Sequence, residues 1–238
     1  MNSSNSLLRP LVSGRSGEWK LLRAGVLAAF AVLPFVLSEN CFADDVSPEA
    51  VAPTARMELF NGKDFSGWTF FMRTNADPAK TWRVEDGLIK CTGQPFGYIR
   101  TEKDYRDYKL TVEWRFPQQG NSGVLIHMRG EDKLWPTSLE CQGQTGNQGD
   151  FIAFEGVTFK ERGNNRRVPK QGPSAEKPLG EWNTYEIVCA GDTVKCYVNG
   201  KLMNQATECN LTSGKIVIQS EGSEFEIRKI TLEPAKAE

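Results

Sequence analysis

Apolar and polar residues alternate along the chain from Glu58 onward, in short runs bounded by turn residues. Leu110, Val112, Trp114 and Phe116 are separated by Thr111, Glu113 and Arg115, a period of two that gives a strand one apolar and one polar face. Leu139, Cys141 and Gly143 alternate in the same way with Glu140, Gln142 and Gln144. Further strands are predicted over Gly123 to Arg129, Tyr185 to Ala190, Val194 to Val198, Lys215 to Gln219 and Phe225 to Leu232. Asn199-Gly200 predicts a tight hairpin, because both central residues of a type I′ turn take positive φ. Val84-Glu85-Asp86-Gly87-Leu88-Ile89 reads as strand, turn, strand. The chain after residue 43 shows no amphipathic helix and no internal repeat. Many short antiparallel strands in one domain predict an all-β, two-sheet antiparallel jelly-roll sandwich. One polar outer face of such a sandwich, if curved, makes a groove.

The beginning of the chain follows a different rule. Arg9, Arg15, Lys20 and Arg23 precede an apolar run from Ala24 to Leu37, followed by polar residues and Cys41-Phe42-Ala43. A basic stretch, a short apolar stretch and a small residue before the cut predict a secretory signal over 1–43. The apolar run falls short of the roughly 20 residues that span a bilayer. Residues 44–56, rich in Pro and Ala, are expected to form a flexible linker, with one domain over 57–236. The mature protein is thus expected to be exported, to the periplasm or beyond the cell, with no membrane span.

Composition narrows the partners. A net charge of -1 gives no field to attract nucleic acid, so a neutral polar ligand fits better. His127 is the only histidine and no Cys-x-x-Cys occurs, which excludes the usual zinc clusters. With Cys41 removed, Cys91, Cys141, Cys189, Cys196 and Cys209 form an odd set, so at least one thiol is expected free or buried, with at most one or two disulfides. The stretch Glu161 to Lys177 carries five basic residues and no hydrophobic period; it reads as a solvated loop or as one reaching over the groove. Trp182 reads as core, and Asn183 as a residue tying down a turn. Nothing in the pattern sets an oligomeric state.

Seven segments in order carry a resemblance: Leu59-Phe60-Asn61-Gly62-Lys63-Asp64 with Gly67-Trp68, Trp82-Arg83-Val84-Glu85-Asp86-Gly87, Asn121-Ser122-Gly123-Val124, Leu139-Glu140-Cys141-Gln142, Gly180-Glu181-Trp182-Asn183, Val198-Asn199-Gly200 and Ile218-Gln219. Across residues 58–233 they resemble the 3-keto-disaccharide hydrolase domain family. The resemblance implies a concanavalin A-like jelly roll, a carbohydrate ligand and export. The sequence departs from the family at Gln144, where an Asp is usual, and at Ser220-Glu221-Gly222, where a His is usual. It departs again at Ile227-Arg228-Lys229, where Phe-Arg-Asn is usual.

A retaining glycosidase needs two carboxylates about 5–5.5 Å apart. The polar face of the 139–144 strand offers Glu140 alone, unless Glu113 from another strand completes a pair. A 3-keto sugar asks for less: the ketone acidifies the C2 proton, one base removes it, the C1 substituent leaves, and water adds. Glu140 is the first candidate for that base, with His127 and Glu113 as the other catalytic candidates. Arg115, Arg129 or a bound cation would stabilise the enolate, and Gln142 and Gln219 would read sugar hydroxyls. Each has a plainer reading. Glu140 fits a surface carboxylate met by an arginine, Glu113 and Arg115 fit cross-strand ion pairs, and His127 fits a packed strand residue sharing a face with Leu125 and Arg129. Gln142 and Gln219 fit backbone partners. A divalent cation held by Glu140 and Glu113 is expected to assist, calcium, magnesium or manganese suiting such oxygen donors better than zinc. A non-catalytic carbohydrate-binding module and an adhesion domain of the cell envelope are the rival functions.

Overall fold

The computed structural model describes residues 49–235. The expected signal segment, 1–43, lies outside the described residues. Two antiparallel sheets face each other. The first has eight strands, in the order β13 (Lys201–Ala206), β12 (Thr193–Val198), β11 (Asn183–Ala190), β6 (Tyr108–Arg115), β15 (Phe225–Pro234), β4 (Leu88–Cys91) and β3 (Trp82–Glu85), with β1 (Met57–Glu58) also on β15. The second has seven: β10 (Arg167–Val168), β9 (Phe151–Ala153), β8 (Thr137–Gln142), β7 (Gly123–Arg129), β14 (Lys215–Ser220), β5 (Gly97–Thr101) and β2 (Trp68–Met72). The architecture is the antiparallel jelly roll that the alternation predicts.

The inward members of each alternating run build the core. Leu110, Val112, Trp114, Tyr185 and Ile187 from the first sheet meet Ile99, Val124, Ile126, Cys141 and Ile218 from the second, all buried. Trp114 sits among Phe116, Tyr185 and Phe225, with ring centroids at 5.3, 5.2 and 6.3 Å. Fully burying one large apolar side chain stabilises the fold by about 1.5–3 kcal/mol. Gly143 yields space to this cluster: a Cβ there would stand 2.3 Å from the Trp114 ring. The turns follow their residues. Asn199-Gly200 joins β12 to β13 with φ of 50 and 78, and Asp86-Gly87 joins β3 to β4 with φ of 53 and 76.

Three expectations need correction. His127 does not share a face with Leu125 and Arg129. Its φ of 55 places a bulge in β7, and the pairing with β8 slips between Ile126 and Arg129. The extra residue turns the imidazole inward, against Tyr108 of the first sheet, with ring centroids 5.7 Å apart. Trp182 is not core: it is half-buried outside the first sheet, where the guanidinium groups of Arg115 and Arg228 each stand 4.6 Å from its ring. The linker is not free through Arg56, since Val51 bridges to Tyr105 and Pro53 is buried. The cysteine expectation holds: all five described cysteines are free and buried, and no disulfide joins them.

Candidate active site

The outer face of the seven-stranded sheet combines an apolar floor with a cluster of polar oxygens at one end. Tyr98, Leu125, Met128, Phe154 and Val217 form the floor, with Phe71 and Ile152 packed against it. Above the paired ends of β8, β7 and β14 stand Glu140 and Gln219. They approach so closely because the residue between them is Gly123. A Cβ at Gly123 would lie 2.2 Å from Glu140 Oε1 and 2.3 Å from Gln219 Oε1, so the two oxygens are no farther apart than the sum of those distances. Glu140 is 2% exposed and Gln219 3% exposed. Oε1 of each lacks a hydrogen-bond partner.

Two buried acceptors without donors are costly, at about 1–3 kcal/mol each. Glu140 resolves part of that cost by holding its proton. Burial, and then the nearby Glu221 carboxyl, push its pKa from 4.5 up to about 8, while Arg166 and Arg167 pull the other way. Glu221 follows Gln219 by two residues, just past β14. Asn121 Nδ2 donates to its Oε2 at 2.8 Å and Trp135 Nε1 donates to its Oε1 at 3.3 Å. Burial raises the Glu221 pKa too, against those two hydrogen bonds and Arg166. Trp135 is 47% exposed. The basic loop contributes as well: Arg166 stacks over Phe154 of the floor at 4.7 Å, and Arg167 pairs with Asp150 at 2.6 Å.

The other expected residues fall elsewhere. Glu113 and Arg115 lie on the outer face of the eight-stranded sheet, on the opposite side of the sandwich from Glu140. Glu113 pairs with Arg228 at 2.6 Å and Lys229 at 3.0 Å. Burial works to raise its pKa, but those two cations together hold it below the ordinary value. Arg115 pairs with Glu226 at 2.6 Å. These are cross-strand ion pairs. Glu140 and Glu113 therefore cannot share a cation, and among the described residues no three acidic, cysteine or histidine side chains gather as a metal site. Gln142 spends its Oε1 on the backbone N–H of Gln144 at 2.8 Å, which closes the turn after β8. Arg129 donates to Ser213 O at 2.9 Å and Ser213 Oγ at 2.7 Å, at the far end of β7. His127 Nδ1 lies 3.0 Å from Leu211 O, and burial lowers its pKa from 6.5 to about 4. It is a neutral core residue.

Of the predicted residues, Glu140 and Gln219 thus come together. Asn121, Gly123, Trp135, Arg166 and Glu221 join them without having been assigned a role. Glu221 was within reach of sequence reasoning, since the period of two puts it on the Gln219 face. A cleft of about 410 Å³, lined by Arg83, Lys90, Arg115 and Glu226 of the eight-stranded side, includes none of these residues.

The profile of the 3-keto-alpha-glucoside-1,2-lyase-like domain matches residues 56–233. The chain belongs to this family. No curated protein matches the chain. Among solved structures, a candidate glycosyl hydrolase from Parabacteroides distasonis ATCC 8503 is 25% identical, with a TM-score of 0.59 over 76% of this chain and 94% of that one. A β-glucanase of Bacillus licheniformis has a TM-score of 0.55 at 15% identity, over 76% of this chain and 99% of that one. The carbohydrate-binding module CBM66 of Bacillus subtilis has a TM-score of 0.52 at 13% identity, over 70% and 95%. The last two share the fold. With the family, the Parabacteroides distasonis relative supports a carbohydrate-related role.

Proposed function

We propose that this protein cleaves 3-keto-glycosides by base-initiated elimination followed by hydration, a net hydrolysis. The observation that carries the reading is Glu140: a buried carboxyl with an unpartnered oxygen, on the outer sheet face, with a pKa of about 8. General bases work best when their pKa lies near the working pH. Glu140 takes the C2 proton, and the electron pair left on C2 forms the enolate with the C3 ketone. The C1–O bond then breaks, C1=C2 forms, and the ketone is restored. In this reading Gln219 and Arg166 bind the sugar oxygens and favour the developing negative charge. Water addition across C1=C2 returns the proton to C2 and completes hydrolysis. Incubation with a 3-keto-α-glucoside tests this: release of the aglycone supports it, and an intact substrate sinks it.

A non-catalytic carbohydrate-binding module is the second reading, favoured by one observation: Trp135, which bonds to Glu221, is half-exposed, an aromatic residue on which a sugar would stack. Glycan binding without turnover would establish it. Export belongs to the same proposal and rests on the 1–43 segment. A new N-terminus at Asp44 in the exported protein supports it; a cell-associated product keeping Cys41 overturns it.

A further inference from the structure

We propose that Glu221 is the proton donor to the departing sugar oxygen, acting opposite Glu140 as base. The inference rests on the elimination reading above. It starts from two carboxyls on one face, Glu140 on β8 and Glu221 just past β14, the two strands that flank β7, with the side-chain-free Gly123 of β7 lying beside Glu140 and Gln219. Glu221 is held by two donors from two other segments, Asn121 Nδ2 and Trp135 Nε1, one on each carboxyl oxygen. That fixes its plane and leaves each oxygen a further lone pair. Glu140 Oε1 and Gln219 Oε1, nearly fully buried and unpartnered, mark the same place as one that expects a ligand donating hydrogen bonds.

The charges make this division of labour coherent. The Glu221 carboxyl favours the protonated form of Glu140, so across neutral pH the pair of carboxyls retains a proton. The groups facing it are Arg166 and Arg167, which favour the ionised form but do not overcome burial at Glu140. When the proton resides on Glu221, Glu140 is the free base. In the elimination, Glu140 gains the C2 hydrogen as a proton. The C1–O bond gives its electron pair to the leaving oxygen, and Glu221 supplies the proton that makes it an alcohol. In the hydration, water oxygen bonds to C1, its proton passes to Glu221, and Glu140 returns its proton to C2. Both carboxyls end as they began, and no oxidant or reductant is needed.

The test compares wild type with Glu221→Gln on two 3-keto-α-glucosides, one releasing 4-nitrophenol and one releasing methanol, each also followed by NMR for C2 deuterium uptake from D₂O. Nitrophenolate leaves without a proton, while methanol does not. Glu221→Gln should lose about 10²–10⁴-fold on the methyl glycoside, keep its rate within about tenfold on the nitrophenyl glycoside, and still exchange the C2 hydrogen. Equal losses on both substrates, or no loss on either, would overturn the donor role. Loss of C2 exchange would also overturn it, by making Glu221 a residue that positions Glu140. A wild type that neither exchanges nor cleaves refutes the elimination reading itself, a result distinct from any variant-specific change.

Discussion

Replacing Glu140 with glutamine should make the protein more stable at alkaline pH, an unusual direction for a substitution at an active site. The folded state holds the Glu140 proton up to a pKa of about 8, whereas the ordinary value is 4.5. A carboxyl whose folded pKa is raised contributes stability that is fully present below the unfolded pKa and is lost as pH rises through the folded one. Each pH unit in that interval is worth about 1.4 kcal/mol. From pH 5 to pH 9 the wild type should therefore lose about 4 kcal/mol from this residue alone. Glutamine keeps the size of the side chain and has no proton to release. Stability measured by urea unfolding at pH 5, 7 and 9, at fixed ionic strength, should separate the two proteins progressively. In thermal melts the gap at pH 9 corresponds to about 10 °C for a domain of this size. Parallel pH curves for the two proteins would refute the reasoning, because they would mean that Glu140 is solvated or ion-paired in solution.

Gly123→Ala should force Glu140 and Gln219 apart, since the new Cβ would stand 2.2 and 2.3 Å from their oxygens; turnover should fall while urea unfolding shows a loss of about 1–3 kcal/mol. His127→Ala should cost about 1–3 kcal/mol of stability yet leave C2 hydrogen exchange intact, whereas loss of exchange in a folded variant would return His127 to the chemistry. Maleimide at neutral pH should label none of the five described cysteines in the native protein and all five after denaturation without reductant, because every one is buried and free; burial pushes the Cys91 and Cys209 thiols up to about 12. Fewer than five labels after denaturation would reveal a disulfide.

Alternation along a strand reports which side chains share a face, and this is why the jelly roll and the outward orientation of Glu140 were legible in the sequence. It does not report which of the two sheets a strand joins. Glu113 and Glu140 both read as outward carboxylates, and the topology sends them to opposite sides of the sandwich. Nor does alternation survive a bulge: nothing in the run from Gly123 to Arg129 marks the positive φ at His127, so its inward turn was invisible. Trp182 misled for a related reason, as a large aromatic ring held between two arginines outside the sheet has the composition of a core residue. The family segments also differ in what they do. Leu59 to Asp64 is a turn in which Asn61 Oδ1 accepts the N–H groups of Lys63 and Asp64 at 2.8 and 3.0 Å. Asn121 to Val124 and Leu139 to Gln142 instead build the candidate site. Glu221 escaped although the period of two carries on to it, because it lies past the end of its strand and its partners Asn121 and Trp135 come from distant loops.

The central claim is that Glu140 removes a proton from C2 of a 3-keto sugar on the outer face of the seven-stranded sheet. Deuterium uptake at C2 of a 3-keto-α-glucoside in D₂O, followed by NMR with wild type and Glu140→Gln side by side, tests it most directly. The account predicts exchange with the wild type that rises with pH and levels off above about 8. It predicts a rate lower by about 10²–10⁴ in Glu140→Gln, with binding of a non-reactive sugar retained. Wild-type exchange carried on at full rate by a folded Glu140→Gln would contradict it.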